Sequence, residues 1–592
     1  MNRVVEPFRF PFLRRTALSV GLAMAFGASL NAGAGPSPAR PVDPATAGRT
    51  VSERLAAYKS AFAQQRAHRL HVPAARRDRA AAIIAVTRCD DAGPGTLREA
   101  FMQAVSGDVI DLTQLDCSLI TLTSGELATA ADDLTIDGPG QGQLAIDGNG
   151  SSRIIVHTGA GTLDIQGLTL QRGTYVYDQY PLYSGQANGA CVLSSGSVTI
   201  ADSMIDQCSA TGLSVLGGAV HSDGALTLTN STVSGTTATA TTDLLSSTVY
   251  GGALNGAAVY LHGSIVNGAT VSSHTTRPFG GLLGGGVFGE YGVVMIGSTV
   301  TGVHADVSAP LDAYAKGGGV GTAATVVIQD STISDNSVTG TPGYGLYNGW
   351  TYQSAIGGGG LYIVSGPQTS MPSSITNSTI SGNSARCIGA QPCANTIGGG
   401  GGAGLSNSPK YTVDITNSTV SGNSSNLSGG GIMVSRHGSL MLSNSTITAN
   451  SAPDGSGIDD LGDSTAAGIT TNSSIIAGNP LSGGAEGNEI VTTHALNGSH
   501  NLIASANTDL PPDTIVADPL LAPLADNGGP TRTHALLPGS AAIDAGDNAS
   551  NLATDQRGDG YARVVGAAAD IGAFEVQASS PDDVIFLDGF ES

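Results

Sequence analysis

One phrase returns seven times between residues 226 and 479. It reads LTLTNSTVSG at 226–235, VVMIGSTVTG at 293–302, VVIQDSTISDN at 326–336, SITNSTISGN at 374–383, VDITNSTVSGN at 413–423, LMLSNSTITAN at 440–450 and ITTNSSIIAGN at 469–479. The shortest steps between copies are 27 and 28 residues, and longer steps carry insertions. Each unit alternates short Val, Ile, Leu and Thr runs with Gly, Asn and Ser turns, without a sustained helical period. A unit of three short strands has no interior large enough to bury its own apolar side chains. Stacking unit upon unit buries them and pairs each strand with its equivalents above and below. The expected fold is all-β, a parallel β-helix of about twelve turns, on the order of 60 Å long at ~4.8 Å per turn.

Local chemistry agrees. Gly clusters at 217–218, 284–286, 317–319, 357–360, 398–402 and 429–431 precede most copies and suit sharp corners with positive φ. Asn230, Asn377, Asn417, Asn444 and Asn472 recur at one turn position, where side-chain amides are expected to bond along the stack. A β-sandwich array fits poorly, because sandwich strands do not repeat one phrase at so short a period.

Composition narrows the class further. The 592 residues include 84 Gly without a G-X-Y period, which excludes collagen, and the 40% hydrophobic content argues against wholesale disorder. Residues 1–88 hold 14 of the 25 Lys and Arg but only 4 of the 47 Asp and Glu, leaving a strongly acidic body. Such a surface does not suit nucleic acid, whose phosphates need clustered cations. Arg14 and Arg15, the apolar run 17–30 and Ala32-Gly33-Ala34 describe a secretory signal cleaved after Ala34. No later stretch is long enough for a membrane span. The expected organisation is a signal peptide (1–34), a linker with a short basic amphipathic helix over 49–70 (within 35–85), the β-helix (86–514), a C-terminal β/loop cap (515–576) and a linker with an acidic tail (577–592). Six cysteines fall in sequence as Cys89/Cys117, Cys191/Cys208 and Cys387/Cys393, and an exported chain favours disulfides. Fifteen connectivities are open, neighbour pairing being the simplest.

The stretch 89–100, CDDAGPGTLREA, resembles the CSLREA-type N-terminal signature of secreted right-handed β-helix proteins, with Thr96 where the signature has Ser. The NSTISGN phrases are similar to repeats of the same group and of polymorphic outer-membrane proteins. Residues 518–575 resemble the choice-of-anchor Q C-terminal domain. The matching residues are Asp526-Asn527-Gly528-Gly529, Thr531, His534, Leu536, Pro538, Ser540, Asp544, Gly546, Asp555, Arg557-Gly558 and the DIGAFE run at 570–575. The resemblance implies a right-handed helix and export; it is poor on function. The tail 582–592 resembles short C-terminal sorting tails.

Signals for chemistry are sparse. G-x-G-x-x-G occurs at 284–289 and 399–404, but neither opens a helix in a βαβ unit. A glycan lyase needs a base with metal-binding carboxylates, and a hydrolase needs two or three converging carboxylates. The polar residues after the Gly-cluster strands are His221, Asp223, Asn255, Glu290, Thr322, Ser365, Asn407, Arg436 and His437, which read as a solvated corner. Asp454, Asp459, Asp460 and Asp463 crowd one Gly-rich loop; they could begin a calcium site, though their spacing matches no EF-hand and a solvated turn is the favoured reading. The aromatics are more pointed. Six insertions (174–187, 236–250, 271–283, 303–316, 340–356 and 385–397) hold 11 of the 16 aromatics between 164 and 478. Occupying one place in the unit, they are expected to project as loops from one side. Tyr175, Tyr177, Tyr180, Tyr183, Tyr344, Tyr347, Trp350 and Tyr352 are then the candidate binding residues, the competing role being to cover the rod's apolar flank. The expected function is adhesin-like binding of a surface glycan or protein by an exported monomer, with no cofactor. The alternative is a β-helix polysaccharide lyase or glycoside hydrolase.

Overall fold

The computed structural model describes residues 81–577, apart from 178–185, 243–246, 277–278, 343–345, 348–349, 352–354, 365–371, 389–402, 407–411, 435–437, 463–467 and 483–486. These residues belong to one compact unit. The expected signal peptide, the helix at 49–70 and the tail at 582–592 lie outside the described residues.

The chain winds as a parallel β-helix. One flank is a 13-stranded sheet running from Leu119–Thr121 to Leu502–Ile503, one strand per coil. The adjoining long face is a 24-stranded sheet that takes two strands from most coils, fused into one in Val220–Thr229 and Leu254–His262. Register is held coil after coil: Ile200 pairs with Leu228, Leu228 with Leu261, Leu261 with Met295 and Met295 with Ile328. These side chains point inward and are fully buried, as are Val233, Val266, Val300 and Ile333 of the flank sheet. A strand alternates its side chains between faces, so stacking alike residues gives one continuous dry core.

Two hydrogen-bonded ladders follow the repeated phrase. The serine after each left-handed turn residue forms the longer one. In Ser203, Ser231, Ser264, Ser298, Ser331, Ser378, Ser418, Ser445 and Ser474, each backbone N–H donates to the hydroxyl of the next, at 3.1–3.2 Å. The hydroxyl itself donates to the carbonyl two residues back, as from Ser378 to Thr376 at 2.7 Å. The second ladder links buried Asn336, Asn383, Asn423, Asn450 and Asn479 through amide bonds of 2.8–2.9 Å and ends on Glu489, whose carboxylate accepts from Asn479 at 2.6 Å. The expected ladder at the turn asparagines is only fragmentary. Asn417 donates to Asn377 at 2.8 Å and Asn377 to Asp330 at 3.1 Å, but Asn444 turns to Asp547. The turn asparagines are there for their backbone: Asn230, Asn377, Asn417 and Asn444 have φ of 47–53°.

The paired glycines do two different jobs. The first, as at Gly251, Gly284 and Gly317, has φ of 60–71°. The second lies under the next coil: a Cβ on Gly252, Gly285 or Gly318 would sit 2.1–2.3 Å from the carbonyl oxygen of its stacked equivalent.

The N-terminal signature folds as a lid. Its short helix α1 (Leu97–Gln103) is capped by Thr96, and Glu99 reaches back to Gly95 N–H at 2.6 Å. Leu97, Ala100 and Phe101 are buried in the main core, Arg98 pairs with Asp91 at 2.6 Å, and Cys89 bonds Cys117. Cys191 bonds Cys208 as expected. Cys387 is also disulfide-bonded, and the expected partner Cys393 lies outside the described residues.

The C-terminal segment, expected as a cap, runs along the flank sheet. Ile475 and Leu502 pack with Leu536, Ala542 and Ile571. Thr419 donates to Gln556 at 2.6 Å, Ser421 bonds His534 at 2.7 Å, and Gln556 donates to Thr379 at 2.9 Å. The residues resembling choice-of-anchor Q hold this segment together. Buried Arg557 forks onto Asp555, while Glu575 accepts from Asp570 and Val565 N–H and lies 3.3 Å from Arg563.

Candidate ligand-binding face

In their described residues the insertions expected as loops are mainly strands, which corrects the sequence reading. Several of these strands, among them Thr237–Thr242, Thr270–Thr275, His304–Ala309 and Ser337–Pro342, stack in one eight-stranded sheet. Six returning strands, including Ser247–Tyr250, Phe279–Leu283, Asp312–Lys316 and Ile356–Gly357, stack as another. The two sheets pack face to face as an arm beside the long face. Ala238, Ala240, Ala305 and Val307 meet Val249, Leu282, Ala313 and Ala315, all buried. Small residues are required because the sheets approach closely: a Cβ on Gly340 would lie 1.9 Å from Ile356 Cδ1. Runs such as TATATT at 237–242 alternate with the strand period but lack the large apolar side chains that announce a strand.

The candidate tyrosines divide accordingly. Tyr175 and Tyr177 are half-buried against the core. The Arg153 guanidinium lies 3.2 Å from the Tyr175 ring centroid while Arg153 donates to the Asn188 carbonyl at 3.1 Å. These two pack. Tyr180, Tyr183, Tyr344 and Tyr352 lie outside the described residues. Tyr347 and Trp350 belong to a two-stranded antiparallel hairpin, Leu346–Tyr347 with Trp350–Thr351, in which they are directly opposed. That hairpin is inserted where the chain passes from Ser337–Pro342 of one arm sheet to Ile356–Gly357 of the other, and it pairs with neither.

The crevice between arm and long face holds two of the insertion aromatics, Tyr250 and Tyr314, with Phe288, Lys316 and Tyr362, which the sequence reading passed over. Tyr250 stacks on Phe288 with centroids 5.3 Å apart. Lys316, one of three lysines in the chain, is buried; it donates to the Tyr362 hydroxyl, with its ammonium 4.5 Å and 4.4 Å from the ring centroids of Tyr314 and Tyr362. Burial, and then the adjacent Tyr362, hold the Tyr314 phenol well above its ordinary value. The lysine closes the crevice as a cation–π plug. The rarity of lysine in the chain, not any local pattern, was the available signal.

The described residues among those weighed for glycan cleavage do not assemble an acid–base pair. His221 Nδ1 bonds Asn255 at 2.8 Å and Nε2 lies 3.2 Å from Asp223, so both ring nitrogens are occupied and a single carboxylate is present. Thr322 donates to the Gly289 carbonyl, Glu290 is exposed, and Ser365, Asn407, Arg436 and His437 lie outside the described residues. In the acidic loop, Asp460 accepts from Gly462 N–H at 2.9 Å and Thr492 at 2.8 Å, and lies 3.1 Å from His494. Asp459 is buried, and desolvation, reinforced by Asp454 and Asp460, pushes its pKa up to about 6. Asp463 lies outside the described residues. Among the described residues no three His, Cys, Asp or Glu side chains are grouped to hold a metal, and no helix is long and apolar enough to cross a membrane. The chain matches no protein-family model, no curated protein and no solved structure.

Proposed function

We propose that this chain is an exported, adhesin-like β-helix that binds a surface glycan or protein through the outer rim of its arm. The observation carrying this reading is the Tyr347/Trp350 hairpin, an antiparallel element on a molecule of stacked parallel strands, inserted at the arm's turning point. Paired aromatics on a hairpin offer broad amphipathic contact at low entropic cost, the chemistry of sugar-ring and protein recognition. Export is supported by the leader at 1–34, the resemblance to secreted CSLREA and choice-of-anchor Q proteins, and two disulfides of a kind that persists in oxidising compartments.

The test is a glycan array beside a panel of surface proteins, probed with the mature chain and with Trp350→Ala and Tyr347→Ala. The reading expects a ligand whose binding falls at least ~10-fold in either variant. Binding unchanged in both would overturn the assignment of the hairpin. N-terminal sequencing of the exported chain should begin at Gly35; recovery of Met1 in the mature protein would contradict cleavage.

A further inference from the structure

The crevice between arm and long face is lined by two side-chain columns, and its contents change along the stack. On the arm side the column passes through Asn188, Leu216, Tyr250, Leu283, Lys316 and Gly357, each paired with the next. This position lies four residues before the first strand residue of the long face, as Lys316 precedes Val320. By the same count, Ser428 precedes Ile432 and Asp454 precedes Ile458, and Ile432 pairs with Ile458. The facing column contains Phe288, Tyr362 and, near the C-terminal end, Met433 and Asp459. Upstream, the columns are bridged by long side chains: Tyr250 reaches Phe288, and Lys316 reaches Tyr362. Downstream, three short oxygen-bearing side chains stand in the same places.

Two of those oxygens find no hydrogen-bond partner among the described residues. Asp459 is 2% exposed and its Oδ2 has no hydrogen-bond partner among the described residues; Ser428 is 4% exposed and its Oγ has none either. Ser428 lies near enough to favour the Asp459 anion, yet the two do not reach hydrogen-bond geometry. Asp454 adds a second negative charge at the exposed edge. A buried carboxylate oxygen and a buried hydroxyl left unpaired side by side each cost free energy. Lys316 supplies a cation of its own to the crevice; near Asp459 none of the described side chains does.

We propose that Asp459, Asp454 and Ser428 bind a calcium ion in this crevice, with water completing its coordination. All three side-chain donors are hard oxygens, which select calcium or magnesium over softer metals. Magnesium sheds water reluctantly and suits such an irregular set less well. With only three side-chain ligands the affinity belongs to the class of extracellular modules, roughly 10⁻⁴–10⁻³ M. Ligation would satisfy both orphan atoms and keep Asp459 ionised at neutral pH.

The test is calorimetric titration of the full mature chain with CaCl2 and MgCl2 at pH 7.5, alongside thermal melts in calcium and in EDTA. The expected result is calcium binding that raises the melting temperature, weakened at least ~10-fold in Asp459→Asn and several-fold in Ser428→Ala. Asp454→Asn, at an exposed position that does not support the core, is expected to weaken binding with an unchanged melt in EDTA. It keeps the test decisive if a buried substitution disturbs folding. Identical melts of the parent chain in calcium and EDTA without binding heat, or full calcium affinity in both aspartate variants, would overturn the site.

Discussion

At Ser378 a single hydroxyl donates to the Thr376 carbonyl and accepts the Ser331 N–H of the preceding coil. Ser378→Ala leaves that buried N–H unpaired and is expected to cost about 1–3 kcal/mol in denaturant unfolding. The N-S-T phrase was legible as a turn, but which side chains form ladders was not. A period gives the spacing of residues, and only backbone geometry decides that the serine and the last asparagine of the phrase point inward. Buried acids give a pH signature. Asp459 is pushed up to about 6 from 3.8, and Glu575 to about 7 from 4.5, both mainly by desolvation. Each folded-state pKa lies above its unfolded value, so the folded chain holds the proton more tightly and stability falls as pH rises through the interval. In EDTA the melting temperature is expected to decline between about pH 4 and 7, and Asp459→Asn should flatten the part below pH 6. An unchanged slope in that variant would assign the titration elsewhere.

At the scale of elements, corners and arm obey close-approach rules. A Cβ on Gly318 would meet the Gly359 carbonyl at 2.3 Å and the Ser337 backbone at 2.9 Å. Gly318→Ala is therefore expected to destabilise by ~2 kcal/mol or more, measured by thermal or chemical unfolding. Ala238→Leu, inside the arm, should cost ~1–3 kcal/mol through overpacking. The Gly clusters announced the corners directly, because few other residues tolerate both demands. The arm was hidden for a related reason: two sheets this close are filled mostly by Ala, Gly, Val and Thr, and such segments carry little hydrophobic signal. Their aromatics, concentrated at edges and on the crevice side, drew attention to contact surfaces rather than to strands. Tyr250 and Tyr314 proved to be packing residues, while Lys316 and Tyr362 had no local pattern to mark them.

Across the whole molecule, the flank sheet and the C-terminal segment depend on each other. Removing residues 516–577 would uncover Ile475 and leave Thr379, Thr419, Ser421 and Thr446 without their partners. The truncated chain is expected to melt lower and to bind a hydrophobic dye that the intact chain excludes; matching melts would mean that the segment adds nothing to the rod. The extent of the solenoid was readable from repeat spacing. The lateral path of the C-terminal segment was not, since many of its contacts span more than 100 residues and include single polar bonds such as Thr419 to Gln556. Every site described above presumes that successive coils stack in one register. The flank pairs Ile265 with Thr299 and Thr299 with Thr332. Cysteines at Thr299 and Thr332 should stand ~4.8 Å apart, within disulfide reach, whereas Ile265 and Thr332 are two coils apart at roughly twice that distance. Mass spectrometry of oxidised, non-reduced digests should find the 299–332 crosslink in nearly all molecules of the first double variant and no 265–332 crosslink in the second. The reverse pattern, or no crosslink in either, would contradict the stacked register.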